Sequence, residues 1–362
     1  TAGDSITTGS YNVALGNNSL TSATTQNYNI AIGNNAMIYT SSSNNVAIGA
    51  EALEGTAPAD STGGDNVAIG FRALEGIQDG HSNTGIGSHA LNDITTGDKN
   101  TAVGMYSLDA NTTGSNNTAF GYYSLSANVS GESNTAVGYY SLYANTANNN
   151  TAVGNMALMT NTTATNVTAV GHSALKVNET GTVNVAIGSN ALITNTTGSQ
   201  NTAVGHSSLE SCTTANSNTA VGQGAAYALT TGWGCVAIGD QAMGAGVTTG
   251  NSNNCVGYQA GEQLTSGSNN NFFGTYAGEG TTTASYNCAF GQEALETNST
   301  GANNIAIGFR ALEANTTASN NVAVGYQALL LNQTGADNTA VGYVALDANT
   351  ASSNSAFGAY AL

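Results

Sequence analysis

Four cysteines, four histidines and 21 acidic residues are the groups from which a catalytic or metal site would have to be built. His172 and His206 share a phase of the sequence but lie two periods apart. At the spacing of stacked strands that is roughly 9–10 Å, too far to share one ion. No Cys, His and Asp set has metal-ligand spacing, and the calcium-binding Gly-Gly-x-Gly-x-Asp nonapeptide does not occur. Asp60, Asp65, Asp93 and Asp98 could hold no more than a weak surface ion. Gly244-Ala245-Gly246 has loop composition rather than the pattern of a phosphate loop. No nucleophile, base and acid stand together, so the chain reads as a non-enzyme with neither cofactor nor metal.

Other groups could carry covalent or binding chemistry. Cys212 and Cys235 occupy positions that neighbouring copies give to Asn, on successive turns, and form a candidate disulfide. Cys255 and Cys288 read as small core residues or a second bridge. Asn-x-Ser/Thr sequons are numerous, and Asn111, Asn161, Asn195 and Asn315 fall in turns, where a glycan would be accessible. Against this, the same amides are candidates for an internal ladder. Tyr106, Tyr122, Tyr123, Tyr139 and Tyr140 cluster on adjacent copies, as do Phe309, Tyr326 and Tyr343 later. They read either as rings stacked along the surface or as a stripe for carbohydrate or another partner.

What positions these residues is a repeat. Taking a central glycine as phase marker, from Gly16 to Gly358, there are 21 copies, mostly 17 residues apart. Four residues before the glycine stands Asn in 19 copies, and two before it Ala in 18. The residue just before it is always Val, Ile, Leu or Phe; three after it comes Ala or Ser, and four after it Leu in 16 copies. Strictness at alternate positions predicts a short strand over Asn-Thr/Val-Ala-Val/Ile. The glycine makes a bend, Ala/Ser-Leu begins a second extended piece, and Asn-Thr-Thr-Gly turns the chain back. One Gly and several Thr and Asn per copy argue against a helix.

The expected fold is therefore all-β, a parallel β-solenoid of about 21 coils of 17 residues. Stacked at the strand spacing, the coils would form a rod on the order of 100 Å long. The apolar residue before the glycine and the Leu after it are the expected core. The position three before the glycine is mixed and expected to be partly wet. Asn four before and seven after the glycine is expected to form amide ladders. Residues 1–362 form a single solenoid, with 1–11 as a joining segment, 54–65 as a loop insertion containing Pro58, and 224–290 as irregular coils around Trp233.

Composition narrows the function. Net charge is −17, with Arg72, Lys99, Lys176 and Arg310 the only cations. That speaks against nucleic acid and anionic membranes as partners. No apolar run approaches the ~20 residues of a membrane span. The chain begins and stops in mid-pattern, as a processed subunit or a piece of something longer would. A head-to-tail joint would space the flanking glycines by 20 residues, inside the internal range of 16 to 21.

The Asn-x-Ala-Val/Ile-Gly-x-x-Ala/Ser-Leu unit resembles the head repeats of YadA-type trimeric autotransporter adhesins, and repeats of phage tail-fibre-like proteins. The resemblance covers nearly the whole chain. It implies a left-handed β-roll, trimerisation, and binding to host surface or matrix. Coils here are about three residues longer than the family's, and no neck, stalk or anchor is visible. The resulting expectation is a structural extracellular fibre protein, on a cell or virion surface. It would assemble with itself end to end and adhere to surface carbohydrate or matrix. The alternatives are a receptor-binding shaft of a trimeric adhesin or phage fibre, and an ice-binding solenoid.

Overall fold

The computed structural model describes residues 1–56 and 61–362, so Pro58 and Asp60 lie outside it. The chain is an all-β solenoid, and no helix occurs among the described residues. It divides into two compact units, Thr1–Thr180 and Gly181–Leu362. The first carries ten three-residue strands, from β1 (Val13–Leu15) to β10 (Thr168–Val170); the second carries eleven, from β11 (Val185–Ile187) to β21 (Ser355–Phe357). Within each unit equivalent residues meet in parallel register: Thr101, Ala102 and Val103 pair with Thr118, Ala119 and Phe120. In the second unit Thr202, Ala203 and Val204 pair with Thr219, Ala220 and Val221. The coils expected to be irregular keep this register, through Val236 with Asn254 and Asn254 with Asn271. Residues of the 1–11 segment dock on the first coil, Gly3 N–H on Ser19 O and Thr7 N–H on Thr24 O, both at 2.9 Å.

Each coil has one strand, not two. The Ala/Ser-Leu segment expected to be extended is a turn, and its Leu is left-handed: Leu108 has φ 53 and Leu125 φ 53. The residue two after the glycine is left-handed as well, as at Tyr106, φ 55. L-residues adopt this region at a cost. Here it turns successive N–H groups in opposite directions along the stack. Tyr106 N–H reaches back to Ser88 O and Leu108 N–H forward to Ser124 O, both at 3.0 Å. The bonding to both neighbours made by the strand is thereby carried on through the corner, where buried backbone groups must also be satisfied. The phase glycine has a second reason to be invariant. Gly104 sits at φ +130, and a Cβ there would stand 2.6 Å from Gly121 O of the next coil.

The core corrects one expectation. Away from the first and last coils the Leu ladder is buried, and so are the Ala two before the glycine and the Ala or Ser three after it; at the C-terminal end Leu362 is exposed. The Val, Ile, Leu or Phe just before the glycine is not core. It points outward, with Leu15 64%, Phe120 41% and Ile307 41% exposed. The coil interior is narrow enough that Ala from the strand and Leu from the turn fill it. A β-branched side chain on the inner face would have no room, so the strand turns its Ala inward and its larger residues outward. The position three before the glycine is partly exposed in most strands, as expected.

Where the Leu is missing, the volume is supplied from elsewhere. Gly261 and Gly278 stand in the Leu column, and Phe272 stands in place of an Ala on the strand of the coil between. A Cβ at Gly278 would lie 2.6–2.7 Å from ring carbons of Phe272, and one at Gly261 3.0 Å from that ring. Phe272 is fully buried. Phe272 thus fills the space of the leucine at 278, and shares that at 261 with Cys255, whose Sγ would lie 2.6 Å from a Cβ there.

Candidate functional site

Two columns of asparagine amides line the corners, and both are built as ladders. In the column four before the glycine, each Oδ1 accepts the backbone N–H of its equivalent in the next coil. Asn83 takes Asn100 N–H at 2.9 Å and Asn100 takes Asn117 N–H at 3.0 Å. Most Nδ2 groups donate to a turn carbonyl, Asn100 to Gly114 O and Asn117 to Gly131 O, while Asn45 Nδ2 donates to Ser42 Oγ and Asn321 Nδ2 is buried without a partner. In the column seven after the glycine the amides bond one another, Asn161 to Asn145 Oδ1 at 2.7 Å and Asn315 to Asn298 Oδ1 at 2.7 Å.

The ladder settles the fate of the turn sequons. Asn111, Asn161, Asn195 and Asn315 are fully buried. Their Nδ2 groups donate to Gly114, Ala164, Gly198 and Ala318 carbonyls at 2.9–3.0 Å. A glycosylated Nδ2 could neither fit nor keep that bond, so these four are not acceptors in the folded coil. The sequons that face solvent are others, among them Asn116, Asn149 and Asn166.

The expected bridge between Cys212 and Cys235 is not formed; all four cysteines are free thiols. Cys212 belongs to one corner column and Cys235 to the other, and each sulfur turns to a different carbonyl. Cys212 Sγ lies 4.0 Å from Ala215 O, and Cys235 Sγ 3.5 Å from Gly250 O. Burial pushes the Cys212 thiol up to about 12 and raises Cys235 and Cys255 too, so these thiols are unreactive.

The tyrosine stripe is brought together as the spacing predicts. His89, Tyr106, Tyr123 and Tyr140 stack in one column with centroids 4.9, 4.9 and 5.2 Å apart. Tyr122 and Tyr139 stack beside them at 5.7 Å. In the second unit Phe309, Tyr326 and Tyr343 stack at 5.3 and 5.1 Å in the column equivalent to that of Tyr122 and Tyr139. Desolvation, and then the neighbouring tyrosines, push the Tyr123 and Tyr140 hydroxyls up, which keeps them protonated. Within the column each ring covers its neighbour's face, so edges and hydroxyls are what remain for a partner. A sugar ring stacks on a face.

Acidic side chains gather where the sequence reading did not look. Five residues after the glycine, Glu262, Glu279, Glu296 and Glu313 follow one another on successive coils. Arg310 Nε binds Glu293 at 2.6 Å and Glu313 at 3.0 Å, and Arg72 likewise binds Glu51 at 2.6 Å in the first unit. The carboxylates of Glu51, Glu54 and Glu75, and those of Glu293, Glu296 and Glu313, lie within 4.8 Å of one another. Each trio already holds an arginine. Asp65, Asp93 and Asp98, named above for a weak ion, belong to neither.

Burial raises Glu279, then Glu262 beside it; burial raises Glu296, then Glu313; burial raises Glu313 itself against the pull of Arg310. A carboxyl raised above its ordinary 4.5 adds stability that is complete below that value and lost as pH rises through the raised one. Glu293, held down by its bond to Arg310, acts in the opposite sense, its contribution present at neutral pH and lost in acid. With Glu54 and Asp109 also raised by burial, five raised carboxyls against one lowered predict a melting temperature that falls as pH rises from about 4.5 to 8. The double variant Glu279→Gln with Glu296→Gln should raise the midpoint at pH 8 and flatten its pH dependence. Melting curves across that range check both.

A cavity of about 500 Å³ opens in the second unit around Gly224, between His206, Tyr227 and Gln241. Sequence reasoning missed it, although the signal was present. Gly224 is the only glycine two residues after a phase glycine, and Gly244 the only one five after. A scan of protein-family models and a search of curated proteins each return no match to this chain.

Proposed function

We propose that this chain is a structural, fibre-type repeat protein that assembles with copies of itself through the outward faces of its strands. The observation carrying the proposal is the unbroken column just before the glycine. It runs Ile86, Val103, Phe120, Val137 in the first unit and Ile187, Val204, Val221, Ile238 in the second, with many members more than a third exposed. Surface patches of this continuity mark interaction sites. The partner that fits is a second copy. A row of side chains at the strand spacing is best complemented by another row with the same spacing, and a surface of different periodicity falls out of step within a few coils. The likeness of the unit to adhesin head repeats supports an extracellular setting and an adhesive role.

Native mass spectrometry and sedimentation of the purified chain test this reading. More than one chain per particle is expected. The triple variant Val103→Thr, Val137→Thr, Val153→Thr retains β-branched residues on the strands and should shift the population to single chains with an unchanged β-sheet circular dichroism spectrum. A wild-type chain that stays monomeric at tens of micromolar overturns the proposal.

A further inference from the structure

Gly224 and Gly244 remove side chains from two columns that are otherwise filled, on successive coils of the second unit. A Cβ at Gly224 would meet nothing closer than Gln241 Cγ at 3.7 Å, so the site has room for a side chain and lacks one. The cavity of about 500 Å³ that results is walled by His206, Glu210, Gln223, Tyr227, Gln241 and Glu262. Its size is that of small-ligand sites, which combine an apolar surface with a few placed polar groups.

The walls define the ligand by exclusion first. None of the four Lys and Arg residues lines the cavity, whereas two carboxylates do. A phosphate, sulfate or carboxylate would find no cation and would be repelled by both carboxylates. The polar groups are then those that suit hydroxyls. Gln259 Nε2 donates to Gln241 Oε1 at 2.8 Å and to Glu262 Oε1 at 3.2 Å, which holds both wall residues in place. With its oxygen occupied, Gln241 offers its amide N–H groups, while Glu210 accepts and Gln223 and His206 can do either. A hydroxyl both donates and accepts, so a ring of hydroxyls matches this mixture where a purely donating or accepting group does not.

Tyr227 supplies the apolar surface. It is 42% exposed, and among the described residues no aromatic ring stacks on it. In this it differs from the first unit's tyrosine column, whose ring faces cover one another. We propose that the cavity around Gly224 binds a neutral sugar ring of a glycan, its C–H face on Tyr227 and its hydroxyls on Glu210, Gln223, Gln241 and Glu262. The proposal is independent of self-assembly and stands or falls apart from it.

The test is titration of the full chain with the methyl glycosides of glucose, galactose, mannose and N-acetylglucosamine, followed by saturation-transfer NMR and calorimetry. At least one should bind saturably. Gly224→Gln should abolish that binding, because it fills the cavity with the side chain that the next two coils carry at the same position. The fold should survive the change, since Gln241 and Gln259 hold that position at φ 56 and φ 53. Tyr227→Ala should weaken binding roughly tenfold by removing the stacking surface. The proposal is overturned if none of the four saturates, or if Gly224→Gln binds as the wild type does. It is equally overturned if N-acetylneuraminic acid or putrescine occupies the cavity in preference to the neutral glycosides.

Discussion

Phe272→Ala should destabilise the second unit by about 3–5 kcal/mol, the range for deleting a buried aromatic from a packed core. The ring is fully buried and fills the space of the leucine absent at 278 and part of that at 261, so its loss opens a void that flanking coils cannot close without breaking register. Gly278→Leu alone should also destabilise, because its Cβ would be driven to 2.6 Å from the Phe272 ring. The double variant is the informative one. With alanine at 272 and leucine at 278 the coil regains the pattern of its neighbours. The left-handed backbone is no obstacle, since Leu295 and Leu312 occupy the same column at φ 56. We expect the double variant to recover more than half of the loss from Phe272→Ala, a coupling larger than distant sites show. Denaturant unfolding of all four proteins measures it, and a double variant no more stable than the weaker single would refute the account of the core.

The second large effect concerns the corner amides. Asn100→Val should cost about 2–4 kcal/mol, from leaving buried groups unpaired rather than from lost contact area. Its Oδ1 accepts Asn117 N–H at 3.0 Å, and its Nδ2 donates to Gly114 O at 2.9 Å and Asn83 Oδ1 at 3.1 Å. Valine matches the shape and satisfies none of them. Gly114 O keeps one donor, Asn111 Nδ2 at 2.9 Å, so the orphaned Asn117 N–H carries most of the penalty. Hydrogen exchange at the Asn117 amide reports the local effect: protection there should fall well before protection at Thr84, whose N–H bonds Asn100 O through the backbone. Equal loss at both sites would mean that the variant unfolds the coil as a whole. Val167 shows that the column accepts one such break naturally; its own N–H still reaches Asn150 Oδ1 at 3.0 Å.

Much of the fold is legible in the chain because the repeat is strict. A residue type restored every 17 positions has to serve a contact restored every coil. Counting copies therefore locates the strand, the glycine bend, the Leu column and the two Asn ladders. The tyrosine column follows from the same register. The cavity was legible in principle: a lone Gly224 in a column of larger residues is a deletion that a repeat makes visible. The sequence left glycan and ladder open at Asn111, Asn161, Asn195 and Asn315 because both use the same amide, and only burial decides between them.

By itself, then, the sequence determined the period, the parallel register and the all-β solenoid, since these depend on what recurs. The tertiary structure decided which way the strand faces. Ala at one position and Val, Ile or Phe at the next are both apolar, so alternation could not say which was inside. The narrow interior decided it: Leu from a left-handed turn already occupies the centre, only Ala fits beside it, and the larger residues are left on the surface. The structure also set the cysteines apart, because two residues equivalent in composition stand in different columns. Finally it assembled the acidic trios and the Gly224 cavity, which draw on side chains from successive coils that no single copy of the repeat contains.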